Sequence, residues 1–138
     1  MHGTGQDRMV RRLRNAGLRP TRQRVELGGI LFAKGHRHIT AEDLRAEAES
    51  AGVRVSLGTV YNTLHQFTQA GLLREVAVDS GRAYFDTNTS DHHHFLVEDE
   101  GRLIDLVGEV LIDRLPTPPE GTEISSVELI VRVRHARG

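Results

Sequence analysis

Cysteine and tryptophan are absent from this 138-residue chain, and aromatic residues make up only 4% of it. Without cysteine, the protein can form no disulfide, no thiolate zinc site and no thiol nucleophile. No apolar run approaches the roughly 20 residues that cross a bilayer, and the N-terminus lacks the apolar core of a signal peptide. We therefore expect a cytoplasmic protein with no membrane partner.

The charges are divided unevenly along the chain, although the net charge is only −1. Residues 1–85 contain 13 Lys and Arg against 8 Asp and Glu, whereas residues 86–138 contain 5 against 11. A basic N-terminal half suits the approach to nucleic-acid phosphates, and an acidic C-terminal half does not. Charge alone is also compatible with two ordinary solvated surfaces.

Apolar periodicity and capping residues predict four helices in the first half, at about 4–16, 22–32, 41–51 and 57–70. Thr21 and Ser56 are the expected N-caps of the second and fourth helices, and Thr40 with Asp43 forms a capping box for the third. Gly28-Gly29 costs helix propensity, about 1 kcal/mol per Gly, so we expect a close helix contact there. The predicted core residues are Met9, Val10, Leu13, Ala16, Val25, Leu27, Leu31, Phe32, Leu44, Ala48, Ala51, Val60, Leu64 and Phe67.

The fourth predicted helix has a face that is polar but nearly uncharged. It contains Thr59, Tyr61, Asn62, His65, Gln66 and Gln69. Hydroxyls and amides suit base edges in a DNA groove, and Asn and Gln can pair bidentately with adenine; Tyr61 could instead pack partly against the core. A hairpin is predicted next, from strands 73–78 and 82–86 around Asp79-Ser80-Gly81. This order of elements is typical of a winged helix-turn-helix.

The C-terminal segment predicts a second hairpin, 94–97 and 102–106, then a short helix at about 108–115 and a strand over 123–134. In that strand Val127, Leu129, Val131 and Val133 alternate with polar residues. A segment of this size is too small to be securely stable alone, so we expect it to complete its core against a second copy. The overall expectation is an α+β protein.

The segment Asp91-His92-His93-His94 holds three of the eight histidines. One interpretation is a solvated polar loop, and the other is a set of metal or haem ligands at a domain junction. On an extended segment, His92 and His94 point to one side and His93 to the other.

Several segments, in their order and spacing, resemble the ferric uptake regulator family. They are 17–21 (GLRPT), 38–44 (HITAEDL), 58–61 (GTVY), Phe67 with 70–72 (AGL), and the histidine cluster followed by a hairpin. The resemblance implies a winged-helix DNA-binding domain at 1–86, a hinge at 87–94 and a small α/β dimerisation domain at 95–138. Within the family, the histidine run and the missing cysteines are most similar to the iron response regulator branch, which responds to haem.

The resemblance also implies site residues. A hinge metal site would consist of His38, Asp86, His92, His94 and Asp105, a donor set suited to Fe²⁺, Mn²⁺ or Zn²⁺. Haem would be bound by His38, His92, His93 and His94. Arg19 would enter the minor groove, and Thr59, Tyr61 and Asn62 the major groove. Val97 and Glu100 stand where many relatives have the first cysteine pair, so no four-cysteine structural zinc is expected.

These implications favour a homodimeric regulator of iron and haem homeostasis that binds an AT-rich palindromic operator and is not an enzyme. Each subunit would take haem, one divalent metal ion, or both. A peroxide sensor or a plain iron or manganese repressor of the same family remains an alternative. So do a His-site metalloenzyme and a haem or metal carrier, although the basic half and the polar-faced helix argue against a carrier.

Overall fold

The computed structural model describes residues 5–79, 82–90, 92–108 and 110–136. The chain divides into two compact units, residues 1–89 and residues 90–138. Within the described ranges, no helix is long and apolar enough to span a membrane.

Four helices form most of the N-terminal unit: α1 (Gly5–Asn15), α2 (Arg22–Leu31), α3 (Ala41–Ser50) and α4 (Leu57–Gln69). All four confirm the predicted helices to within about two residues, although the predicted start at Thr4 lies outside the described residues. The hydroxyls of Thr21, Thr40 and Ser56 each accept a backbone N–H three residues later, as N-caps do. The Asp43 carboxylate completes the capping box at Thr40. Local capping chemistry therefore determines where these helices begin.

The core of this unit is an apolar cluster that all four helices share. The predicted residues that are buried in it are Met9, Leu13, Val25, Leu27, Leu31, Leu44, Ala48, Val60, Leu64 and Phe67. Val10 and Phe32 are partly buried against it. The prediction that Ala51 belongs to the core is wrong. Ala51 is exposed, because α3 ends there and Gly52 turns the chain with a φ of 81°.

The two glycines of α2 have different surroundings. A Cβ on Gly28 would lie 2.6 Å from Cε of Met9 on α1, closer than any real contact, so the expected close helix approach is confirmed there. A Cβ on Gly29 would meet nothing within 4 Å. Only Gly28 has a packing reason for lacking a side chain.

A three-stranded antiparallel sheet completes the unit, with β1 (His38–Ile39), β2 (Arg74–Asp79) and β3 (Arg82–Asp86) in the order β1-β3-β2. The β2–β3 hairpin confirms the prediction, and its turn residues Ser80 and Gly81 lie outside the described residues. β1 was not predicted, because two residues are too few to show an alternating pattern. It places His38 directly opposite Asp86.

The C-terminal unit contains β4 (His94–Val97), β5 (Arg102–Asp105) and β6 (Ile130–Val133), in the order β5-β4-β6. The predicted hairpin is confirmed as the antiparallel pair β4–β5. The predicted strand 123–134 is confirmed only for Ile130–Val133, which pairs in parallel with all four residues of β4. Residues 123–129 are not a strand, because β4 is too short to pair with them.

The predicted helix at 108–115 is wrong, since residue 108 and residues 110–115 are not helical. Glu109 lies outside the described residues. Apolar side chains of this stretch point to solvent, with Val107 92% exposed and Leu111 82% exposed. A short helix gains most of its stability from packing, and among the described residues these side chains have little to pack against.

His135, two residues after β6, is tied to the turn between β4 and β5. Its Nδ1 lies 2.7 Å from Oδ2 of Asp99, its backbone N–H donates to the same oxygen at 3.3 Å, and its Nε2 lies 3.7 Å from Glu100. The hydrogen bond with Asp99 raises the pKa of His135, and the bond with His135 lowers the pKa of Asp99. The pair is strongest when His135 is protonated and Asp99 is ionised.

This ion pair should make the stability of the C-terminal unit depend on pH. A raised histidine pKa contributes stability that is complete below about pH 6.5 and is lost as pH rises through the folded pKa. A lowered aspartate pKa contributes above about pH 4, so the pair acts between those limits. In an NMR titration of the imidazole, Asp99→Asn should lower the pKa of His135, whereas Glu123→Gln, a control at an exposed acid, should not. Equal His135 pKa values in all three proteins would contradict the pairing.

Candidate metal centre and nucleic-acid interface

Two potential metal ligands come together on the sheet of the N-terminal unit. Nε2 of His38 on β1 lies 3.2 Å from Oδ2 of Asp86 at the end of β3. The Asp86 side chain is 1% exposed, and its Oδ1 accepts the backbone N–H of Asn88 at 2.8 Å. A buried carboxylate needs such donors or a cation, because burial removes its water. The carboxylate is therefore fixed in direction and turned towards an imidazole.

The chain segment before β1 is fastened to the end of β3. The backbone N–H of Arg37 donates to the Thr87 hydroxyl at 2.8 Å, and the Thr87 N–H donates to the Arg37 carbonyl at 3.1 Å. The Arg37 guanidinium forms a two-point ion pair with Glu47 of α3, and this bond lowers the pKa of Glu47. These bonds hold His38 in register with Asp86.

Three further potential ligands come together in the C-terminal unit. His94 on β4 is opposite Asp105 on β5, and its fully buried ring places Nε2 3.5 Å from Oδ1 of Asp105. Nε2 of His92 lies 2.9 Å from the same oxygen, and the two imidazole centroids are 4.4 Å apart. One carboxylate oxygen thus faces two imidazole nitrogens.

The hydrogen bond at the other nitrogen of His92 defines its protonation. Nδ1 lies 2.7 Å from the carbonyl oxygen of Ser90, and a carbonyl can only accept, so Nδ1 carries the proton. In the neutral ring, Nε2 then carries a lone pair, and this lone pair faces the carboxylate of Asp105. Two such atoms repel unless a cation, either a proton or a metal ion, lies with them. A backbone carbonyl behind the ring is the usual arrangement for a metal-binding histidine, so the residues present fit a divalent ion.

His93 takes a different role from its two neighbours. Its Nδ1 accepts the backbone N–H of Leu129 at 3.0 Å, which ties β4 to the residue before β6. The predicted alternation is therefore confirmed, with His92 and His94 on Asp105 and His93 on the opposite side. In a neutral His93 the proton stays on Nε2, because Nδ1 is the acceptor.

The four predicted DNA-contacting residues differ in exposure. Arg19 and Asn62 are exposed, and Thr59 is partly exposed near the start of α4. Tyr61 is partly buried against the core, which is the packing alternative, and its hydroxyl donates to Glu42 at 3.2 Å. Burial, and then the charge of Glu42, raise the pKa of Tyr61. Its hydroxyl is therefore a neutral hydrogen-bond donor.

A shallow polar cleft separates α2 from α4. Thr21, Gln23, Arg24, Thr59, Asn62, Thr63 and Gln66 line it. Arg24 spans the cleft, because its Nε and Nη2 both donate to Oε1 of Gln66, at 3.2 and 3.1 Å. The role of Arg24 is not apparent from the sequence, because Arg24 and Gln66 are 42 positions apart and only the packing of α2 beside α4 brings them together.

Residues 15–132 match the model of the ferric uptake regulator family. The chain belongs to this family. A ferric uptake regulation protein of Pseudomonas aeruginosa is 35% identical over 125 residues, which cover 88% of this chain and 93% of that protein. Another, of Bordetella parapertussis, is 39% identical over 85 residues, which cover 62% of this chain and 61% of that protein.

Solved structures agree with the family assignment. The ferric uptake regulator of P. aeruginosa with manganese superposes with a TM-score of 0.68 at 30% identity, over 94% of this chain and 98% of that chain. The regulator of Vibrio cholerae superposes with a TM-score of 0.71 over 91% and 98%, although at 22% identity it supports the fold alone. The α+β prediction is confirmed, and the protein is a DNA-binding transcriptional regulator rather than an enzyme.

Proposed function

We propose that the protein is a homodimeric repressor of iron-homeostasis genes, whose binding to an AT-rich palindromic operator depends on a divalent metal ion. The observation that carries this proposal is the lone pair of His92 facing the Asp105 carboxylate at 2.9 Å. The proposal assigns DNA binding to residues 1–86, a hinge to 87–94 and dimerisation to 95–138. It places the protein in the cytoplasm, with the chromosome.

For the metal, we propose one Fe²⁺, Mn²⁺ or Zn²⁺ ion per subunit, bound by His92, His94 and Asp105. His38 and Asp86 are proposed to complete the ligand set. Support comes from the mixed imidazole and carboxylate donors, from the burial of His94 and Asp86, and from the relative solved with manganese. A bound ion would supply positive charge that removes the repulsion between these donors, which links the shape of the regulator to metal concentration.

Asp105→Asn should lower the affinity for Mn²⁺ and Zn²⁺ by at least about tenfold, because it removes the charged ligand that faces two imidazoles. Isothermal titration calorimetry of the full chain measures this. His93→Ala is the matched control, since His93 lies outside the cluster, and its metal affinity should stay within about twofold of wild type. His38→Ala tests the completed ligand set, and unchanged affinity there would confine the ion to the C-terminal ligands. If Asp105→Asn binds Mn²⁺ and Zn²⁺ as tightly as wild type, the proposed metal centre is wrong.

Haem is the second candidate ligand, and the three adjacent imidazoles are the observation that favours it. Haem iron would compete for the nitrogens of His92 and His94 proposed for the metal, and His38 would contribute from the first unit. Ligation through Nε2 of His93 would move its proton to Nδ1 and break the bond from Leu129. The same variants, with His92→Ala added, decide between the ligands by the Soret shift. If every variant still binds haem, the histidines are not its ligands. The proposed function would then be that of a plain iron or manganese repressor or of a peroxide sensor.

For DNA, Arg19→Ala should weaken binding to all duplexes and reduce the salt slope by about 1, because it removes one phosphate or groove contact. Arg134→Ala removes the same charge from an exposed position in the C-terminal unit and should leave the affinity unchanged. Asn62→Ala should reduce discrimination between operator and unrelated duplexes, since an amide contacts base edges. Fluorescence anisotropy at several salt concentrations measures all three. Equal losses in Arg19→Ala and Arg134→Ala would remove the loop between α1 and α2 from the interface, and wild-type discrimination in Asn62→Ala would remove α4.

For the dimer, we propose that a second copy covers the apolar side chains exposed in the C-terminal unit. They are Ile104, Val107, Leu111, Ile112, Leu115, Ile124, Val127 and Leu129. Monomers rarely leave so many large apolar residues in contact with water. The same contact would supply the packing surface that the segment 108–115 needs to become helical.

Leu111→Asp should dissociate the dimer at micromolar concentration, because it buries an unpaired charge in the interface. The change should not unfold the subunit, since Leu111 is 82% exposed within its own chain. Thr117→Asp, an equally accessible position nearby, is the control and should remain dimeric. Sedimentation equilibrium measures the masses. A monomeric wild type, or a dimeric Leu111→Asp, would contradict the interface.

A further inference from the structure

The guanidinium of Arg24 connects two parts of the surface proposed to meet DNA. Its Nη1 donates to the backbone carbonyl of Arg19 at 2.8 Å, and its Nε and Nη2 donate to Oε1 of Gln66 on α4. Arg24 and Gln66 are both partly buried. The loop that carries Arg19 and the middle of α4 are therefore held by one rigid planar group.

This arrangement determines which way the Gln66 amide points. An arginine has donors and no acceptor, so the oxygen of the amide must face Arg24 and the NH₂ group must face away. Two donors also occupy both lone pairs of the oxygen. Gln66 is thus left with only donors for any other partner.

We propose that Arg24 is a positioning residue that makes Gln66 a donor-only contact to DNA. The inference rests on the proposed DNA-binding function and deepens it. Gln66 lies four residues after Asn62 and seven after Thr59, so the three share one stripe of α4 along the cleft. A free glutamine pairs with adenine by accepting and donating together, and Gln66 cannot accept. Its partner is a hydrogen-bond acceptor of the duplex, either a phosphate oxygen or a base-edge acceptor, which in the major groove is N7 or O6 of guanine, N7 of adenine or O4 of thymine.

The decisive variant is Gln66→Glu in the full, metal-loaded chain. The carboxylate still accepts from Arg24, so the bridge between α2 and α4 is retained, but the outward NH₂ is replaced by an oxygen. Affinity for a duplex selected from a randomised library should fall by roughly tenfold to a hundredfold. Gln23→Glu makes the same change of charge on an exposed residue that lines the same cleft, so its loss of affinity measures the electrostatic effect alone. Gln66→Glu should lose clearly more than this control, and an equal loss in the two variants would overturn the inference.

Arg24→Lys tests the positioning step, because it keeps the positive charge and loses the two-point hold on the amide. The expected result is an unchanged salt slope with weaker specific binding. If Gln66 meets a base, the variant selects duplexes in which one position of each half-site has lost its preference. If it meets a phosphate, all sequences weaken alike. Unaltered affinity and selection in Arg24→Lys would overturn the role of Arg24, and a wild type that binds no duplex would overturn the proposed function as well.

Discussion

The interaction on which the C-terminal unit depends is the contact of one Asp105 oxygen with the nitrogens of two histidines. Cross-strand pairing places Asp105 opposite His94, and the Ser90 carbonyl turns the lone pair of His92 towards the same point. Without a cation these groups repel each other, and with one they attract. A cation at this position would therefore change the sign of the local electrostatic energy, and the proposed metal-dependent function rests on that change.

The N-terminal unit uses a different principle, in which rigid backbone elements fix polar groups. Three hydroxyl caps determine the starts of α2, α3 and α4, and the arginine bridge across the cleft determines the facing of one amide. Each bond is worth only about 1 kcal/mol, so none of them stabilises the fold by much. Their effect is to fix the orientation of polar groups. Orientation matters because a base edge or a phosphate binds a hydrogen-bond donor differently from an acceptor at the same position.

The elements that sequence predicts here are those with local causes. Caps, apolar spacing and turns lie within a few residues of the helices and hairpins that they define, and these were predicted closely. The strand β1 was missed because its cause is its partner β3, about 45 positions away. The helix at 108–115 was predicted between the second hairpin and the proline-rich stretch that begins at Pro116, but among the described residues nothing packs over the exposed Val107 and Leu111. Spacing also placed His92 and His94 together, whereas nothing in the sequence reveals the carbonyl that orients His92.

The parallel pairing of β4 with β6 has a consequence for the order in which the C-terminal unit folds. The β4–β5 hairpin closes a short loop and can form in about 1–10 μs, whereas β6 joins β4 only after the long segment between Asp105 and Ile130 has been closed. His92, His94 and Asp105 all belong to the early, local part. The proposed ligands would then already lie together in the nascent chain, before the sheet gains its third strand, so the proposed metal ion would stabilise an early step of folding.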